Sequence, residues 1–509
     1  MKTNSKTFNH KLLMLTTLII SGCSIVYELL ISAISSYLVG DSIKQFSITI
    51  GLYMSAMGIG SFLSKYIKRN LFDYLVSIEL LVGIVGGCSA LILFSANSFL
   101  NTYSIVMYYQ IIFIGILVGL EIPLLTRIME EHRSDLSITL SSIFSFDYIG
   151  GLFGSILFPL LLLPHLGYFT TSFLVGSLNI FAAIIIIYNY KNHLNYYNKF
   201  KVLAIISLIF MIIGSIFSES LSKTIEDKMY RDKIIFSKQT QYQRIVMTKF
   251  KDDVRLFLDG NIQFSSIDEY RYHEALVHIP MSTSKNIENV LILGGGDGLA
   301  AREVLKYESV NKITLVDLDK EMTDLSKSNK IISQLNENSL SNKKLEVINK
   351  DAFSYLENNT QTYDVIIVDL PDPNNETLNK LYTNLFYRLC YKSLSKDGAM
   401  VVQSTSPYAA KEAFWSINKT IKLEGFNVHP YHTQVPSFGE WGFNLATKDQ
   451  LDINNLKLQV STKFLSDEIL PSLFVFSKDE LVDLDKIKEN TLSHPKLLDY
   501  YQKAVEKWK

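Results

Sequence analysis

Two rhythms of apolar and polar residues divide the chain. Up to about residue 217 the apolar residues come in long runs with no polar stripe, such as "FAAIIIIY" and "ISLIFMIIGSIF". A helix that is apolar on every side belongs in lipid or in a deep core, and about 18 such residues suffice to cross a bilayer. Seven spans are predicted, at roughly 12–38, 46–63, 72–94, 103–124, 139–163, 168–188 and 201–217. The first is too long, and too poor in a small-residue cleavage pattern, for a removable signal peptide.

The second rhythm begins after 218. From 237 to 264 apolar and polar residues alternate, with turns at Lys251–Asp253 and Asp259–Gly260, which predicts a small antiparallel sheet. A helical stretch, "DEYRYHEALVHIPM", follows. Then "NVLILGG", "KITLVDLD", "LEVINKDA", "YDVIIVDLPD" and "GAMVVQS" read as buried strands separated by helical segments such as "AAREVLKY". That alternation predicts a doubly wound α/β sheet, with ligands at the carboxyl ends of its strands. The expected organisation is a multi-pass α-helical membrane domain over 1–217, a β-rich subdomain over 218–280 and a Rossmann-like domain over 281–509.

Charge adds an orientation. Lys2, Lys6 and Lys11 precede the first span; Lys65, Lys68 and Arg69 follow the second. Arg127 and Arg133 follow the fourth, and Lys191, Lys199 and Lys201 follow the sixth, whereas the intervening loops hold only Lys44. This places the N-terminus in the cytoplasm. Seven crossings then leave residues 218–509 outside; an even number keeps them in the cytoplasm. A formal net charge of −1 over 509 residues and a hydrophobic fraction of 48% suit neither a nucleic-acid binder nor a disordered chain. The three cysteines, Cys23, Cys88 and Cys390, form no disulfide framework or metal-ligand spacing, and no metal or cofactor is expected.

The chemistry concentrates at strand ends. Residues 291–303 read "LILGGGDGLAARE", a glycine turn with a carboxylate inside it, Asp297. An acid there would repel a pyrophosphate, so the ligand is not expected to present one. Asp317 and Asp319 end the second strand, Asp351 the third, and Asp369 and Asp372 the fourth. Asp317 stands where a carboxylate accepts both hydrogen bonds of a ribose diol. Such acids also cap helices, but five strand-end positions together favour a site. Asp297, Asp369 and Asp372 have no basic neighbour in sequence, so an ammonium group on a nucleoside ligand is the expected partner.

Together "GGGDGLAAREVLKY", "LFLDGNIQF", "DEYRYHEALVHIP", "VDLD" and "YDVIIVDLPDP" resemble the spermidine synthase (polyamine aminopropyltransferase) family over roughly residues 240–450. The hydrophobic half resembles that family's membrane-spanning branch. The resemblance implies a methyltransferase-type Rossmann-like fold and transfer of an aminopropyl group from decarboxylated S-adenosylmethionine, as co-substrate, to putrescine, giving spermidine and methylthioadenosine. It implies Asp369 as general base and Asp372 as a polyamine-binding acid. Asp297 would hold the aminopropyl ammonium, Asp317 the ribose, and Asp351 with Ala352 the adenine. Gln243 falls at the nucleoside and His273 at the polyamine. The family's soluble members commonly pair, so a homodimer is expected; a cell-membrane location with a cytoplasmic catalytic part is expected as well.

The chain departs from the family at "DLPDPNNETL", where Leu370 and Pro371 replace small hydroxyl residues and Glu376 falls near the place of the adenine-side proline. At "VPSFGEWGF", Phe438 replaces a tyrosine. Both changes touch the acceptor side. Two other readings stay open: an S-adenosylmethionine-dependent methyltransferase, and a polyamine transporter or sensor with a nucleoside-binding domain. Glu28, Glu79, Glu121 and Asp147, in or near the apolar spans, bear on the latter, because an ionisable group in a membrane is costly and by default functional.

Overall fold

The computed structural model describes residues 9–40, 42–100, 102–131, 136–230, 232–284 and 286–508. Lys2, Lys6 and Arg133, used above for orientation, lie outside these. The chain divides between Ile234 and Ile235 into two units.

The first unit is helical: α1 (His10–Val39), α2 (Ser42–Leu63), α3 (Leu71–Gly87), α4 (Ser89–Ser95), α5 (Tyr103–Glu130), α6 (Leu136–Leu157), α7 (Leu163–Asn189), α8 (Tyr197–Ile216) and α9 (Ser218–Tyr230). Among the described residues five helices are long and apolar enough to cross a membrane, and the pair α3–α4, bent by 45°, makes a sixth. Where seven spans were expected, the fifth and sixth are joined in one 53-residue run, Ser137–Asn189. Straight, such a run would be about 80 Å long, far beyond the roughly 30 Å of a bilayer core. It is broken at Gly167, whose φ of 67° and ψ of −176° are not helical.

The two halves of that run travel in opposite directions along α1. In α6, a Cβ at Gly150 would meet the Leu18 carbonyl at 2.2 Å and one at Gly154 the Gly22 carbonyl at 2.4 Å, so both chains advance together. In α7, Tyr168 packs 5.8 Å from Tyr37 near the end of α1, while the Tyr190 hydroxyl donates to the Asn9 carbonyl at its start. Close backbone approach over small residues is how helices associate where no hydrophobic effect drives them together. The helical unit also extends past the expected junction at 217/218. Helix α9 belongs to it, through Ile225 in its core and a 2.7 Å bond between Ser218 and Thr170.

The second unit opens with a four-stranded sheet in the order β1 (Lys233–Gln239), β2 (Arg244–Phe250), β3 (Asp253–Leu258), β4 (Asn261–Ser265). Its turns fall where the alternation breaks, with Lys251, Asp259 and Gly260 at positive φ. Helix α10 (Glu269–Met281) leads into a seven-stranded sheet in the order β10-β11-β9-β8-β5-β6-β7. Its strands are β5 (Asn289–Gly294), β6 (Lys312–Asp317), β7 (Leu345–Asn349), β8 (Tyr363–Asp369), β9 (Leu394–Gln403), β10 (Asn427–Val435) and β11 (Gly439–Thr447). Strands β5 to β9 pair in parallel, and β11 is antiparallel to both β9 and β10.

Alternate residues of the buried strands feed two cores, one on each face: Val290, Ile292 and Ile313 on one, Leu291, Leu293 and Val316 on the other. Strands β6 and β8 flank β5 on opposite sides, so the chain reverses its direction of growth there. A crevice opens at such a switch point beyond the strands' carboxyl ends.

Candidate active site

Backbone geometry brings the acids together. Gly294 pairs in register with Asp369, at a φ of 86°, and a Cβ there would sit 2.0 Å from the Asp369 carbonyl. Only glycine lets β5 and β8 end this close. A Cβ on Gly296 would meet the Asp317 carboxylate at 2.6 Å, so the same turn makes room for the acid that ends β6. Within the turn, Asp297 accepts a 2.9 Å bond from the Leu299 amide, and its burial raises its pKa.

Helix α10 supplies what faces these acids. The Tyr272 hydroxyl donates to Asp369 at 2.6 Å. Burial pushes the Asp369 carboxyl up to about 6; the charge of His273 and the Tyr272 bond pull it down, while Asp297 pushes it up. His273 is fully enclosed, with Nδ1 2.8 Å from Glu269. Burial opposes its charge, but the bond to Glu269 and the charges of Glu269, Asp297 and Asp369 hold its pKa up at about 9. Glu269 is itself gripped by Arg302 through two bonds of 2.8 and 3.0 Å. The acidic cluster expected to lack a basic partner therefore has one, contributed not by its sequence neighbours but by a helix that precedes the sheet. A cation at His273 favours ionised Asp297 and Asp369 before any ligand arrives.

Asp372 has a different setting. It accepts bonds from Tyr501 at 2.9 Å, Gln403 at 3.4 Å and Thr405 at 3.5 Å. Burial pushes its carboxyl up to about 6 against these bonds. Leu370 and Pro371 cannot brace the turn with side-chain hydroxyls; their carbonyls instead receive bonds from Tyr382 at 3.3 and 3.0 Å, and Gln403 also donates to Leu370. Phe438 stacks edge-on to Tyr272 and Trp441, with ring centres 6.0 and 5.3 Å away, extending an aromatic wall beside Asp369.

On the other side of the turn, Asp317 accepts a bond from the Asp319 amide at 2.9 Å, and burial pushes it up to about 7. Gln243 donates to Asp319 at 3.0 Å, which holds the small sheet's loop against the end of β6. Asp351 caps the helix Ala352–Glu357 through the Ser354 amide at 2.9 Å and is 2.7 Å from Lys380, with Ala352 buried beside it. Asp351 thus caps a helix and pairs with Lys380, a structural role that the nucleoside role implied by the resemblance would share. Away from these residues, His432, Glu440 and Glu480 are the one group of three metal-type ligands converging among the described residues, on the β10–β11 hairpin and the segment after it.

Comparison with known proteins decides the family. A model of the spermine/spermidine synthase domain matches residues 269–458. A polyamine aminopropyltransferase of Oceanobacillus iheyensis is 42% identical over 494 residues, covering 96% of this chain and 96% of that protein. The chain belongs to the polyamine aminopropyltransferase family. A second aminopropyltransferase, from Leptospira interrogans, is 42% identical over 96% of this chain and 98% of its own length. The crystal structure of spermidine synthase from Thermotoga maritima is 29% identical, covers 48% of this chain and 84% of that one, and has a TM-score of 0.45. As an aminopropyltransferase the protein is an enzyme, which displaces the methyltransferase reading and the reading as a transporter or sensor without catalysis.

Several residues that shape the aminopropyltransferase site were not singled out in the sequence. Tyr272 stands next to His273 in the motif and was within reach of inspection. Gln403 and Thr405, at the end of β9, had the strand-end position as their only signal. Tyr501 had none: the C-terminal helix Lys496–Trp508 lies beyond the matched domain.

Proposed function

We propose that this aminopropyltransferase moves the aminopropyl group of decarboxylated S-adenosylmethionine onto a diamine, putrescine by default, at the crevice beyond β5 and β8. The observation that carries this reading is the placement of Asp369 and Asp372 at the two ends of one short turn, each half-buried and each already held by hydroxyl or amide donors. An amine nitrogen attacks the carbon next to the sulfonium, a C–N bond forms, the C–S bond breaks, and neutral methylthioadenosine leaves. The amine's proton passes to Asp369, whose pKa near 6 leaves it ionised at neutral pH and able to accept. Asp372 takes the far ammonium, oriented by Tyr501 and Gln403. Asp297 takes the donor's ammonium, Asp317 the ribose hydroxyls, and the Asp351–Ala352 segment with Gln243 the rest of the nucleoside. His273 balances the acids while the site awaits its cations. Alignment of two cations whose charges would otherwise repel supplies most of the rate.

The long apolar helices support a cell-membrane location for the first unit. With α6 and α7 as separate crossings the number is seven, and the basic loops then put the catalytic unit on the face opposite the N-terminus; a cytoplasmic catalytic unit requires that one segment not cross. Protease accessibility in vesicles of known orientation separates the two. Pairing of two copies, carried over from the family's soluble members, is tested by mass photometry in detergent. The reaction is tested by mass spectrometry of full-length protein given decarboxylated S-adenosylmethionine and a panel of diamines, with S-adenosylmethionine as parallel donor. Methylthioadenosine with an aminopropylated diamine is the expected result; methyl transfer, or no product with any diamine, overturns it.

A further inference from the structure

The interior of the helical unit holds acids that its own chain does not satisfy. Glu79 on α3 is fully enclosed and Glu121 on α5 is 5% exposed, so both face the bundle's centre and not its surround. Helix α3 packs against α5 and α7, and α5 against α1 and α6, which sets Glu79 and Glu121 in one electrostatic neighbourhood with Tyr27 on α1 and Asp147 on α6. Asn179 on α7 donates to one oxygen of Glu79 at 2.9 Å. The other oxygen of Glu79, Oε1 of Glu121, Oδ1 of Asn179 and the Tyr27 hydroxyl are buried without a hydrogen-bond partner. With the two glutamates ionised, three of these four atoms can only accept. Buried acceptors left open at this density call for a donor from outside the chain.

A second feature points to Glu121. Pro123 follows it by two residues and has no N–H for the Gly119 carbonyl, so the helix is interrupted beside the acid. Broken helices and ionisable groups within an apolar bundle mark sites for charged solutes. An organic ammonium brings several N–H donors at once, which is what a set of open acceptor oxygens lacks. We propose that Glu79 and Glu121 bind an aliphatic amine cation inside the helical bundle, with Tyr27 and Asn179 completing the cage. This site is separate from the catalytic crevice, and a protein that consumes one polyamine and releases another would use it to sense or conduct that cation.

The choice of amine rests on the proposed reaction, so the test treats the two sites separately. Equilibrium binding of radiolabelled spermidine is measured on full-length protein in nanodiscs. Asp372→Asn is expected to retain one class of bound spermidine, and adding Glu121→Gln or Glu79→Gln to it is expected to weaken that class about tenfold or more. Tyr27→Phe provides a milder probe of the same cage. Each helical variant, made singly, is expected to keep its aminopropyl transfer rate, which reports correct folding. Absence of spermidine binding in Asp372→Asn, or affinities within twofold after the helical substitutions, overturns the proposal and leaves the two acids as protonated packing groups. If Asp372→Asn instead leaves the diamine KM unchanged, the acceptor-site reading fails while the bundle site stands on its own data.

Discussion

Each of the two candidate sites gathers carboxylates, and they hold them in opposite ways. In the catalytic unit Asp369 has Tyr272, Asp372 has Tyr501, Gln403 and Thr405, and Glu269 has His273 and Arg302. In the helical unit Glu79 is bonded through one oxygen and Glu121 has an oxygen with no partner. A catalytic acid must keep a fixed geometry and a tuned pKa, so its supporting bonds are built in before substrate binds. An acid that waits for a mobile cation needs open valence instead.

The comparison makes graded predictions. Asp297→Asn removes a charged partner of the donor's ammonium, and the KM for decarboxylated S-adenosylmethionine should rise by about 10- to 100-fold with the diamine KM little changed, as steady-state kinetics would show. An equal rise in both would mean that Asp297 only shapes the glycine turn. Gly150→Leu forces a side chain into the α1–α6 contact, where even a Cβ meets a carbonyl at 2.2 Å, and should destabilise the helical unit by about 1–3 kcal/mol in a denaturant titration. Unchanged stability would show that α6 is free to move off α1.

Smaller effects sharpen the acceptor side. Tyr501→Phe removes one bond to Asp372 and keeps the ring, so the diamine KM should rise about three- to tenfold with kcat and the donor KM unchanged. A drop in kcat alone would place Tyr501 elsewhere in the cycle. The smallest effect is a displaced pH profile. Asp369 works as its carboxylate, so kcat should fall as pH drops through about 6, and Tyr272→Phe, which removes a bond favouring the charged form, should move that limb to higher pH. A shift to lower pH would contradict the assigned bond.

Much of this was legible in the chain because it rests on local pattern. The glycine turn, the strand-end acids and the two hairpin turns are read from periodicity and residue type, and the structure brings Asp297, Asp317 and Asp369 to one crevice as that pattern implies. What escaped depends on distance in the chain. His273 was marked by its motif, but its role as the acids' basic partner depends on α10 packing beside the sheet, and Tyr501 arrives from the last helix to touch a residue 129 positions earlier. Hydropathy located the apolar segments, including a separate fifth and sixth, which the structure divides at Gly167, but gave no sign of the 45° bend between α3 and α4. The position of α9 was likewise hidden, because its amphipathic sequence suits either unit.

The central claim is that Asp369 is the base of an aminopropyl transfer. Its most direct test is the kcat of full-length Asp369→Asn with decarboxylated S-adenosylmethionine and putrescine, measured beside donor binding by calorimetry. The account predicts a fall of about 10²- to 10⁴-fold in kcat with donor affinity kept within a few fold. Turnover near the wild-type rate would contradict it and move the proton to another group.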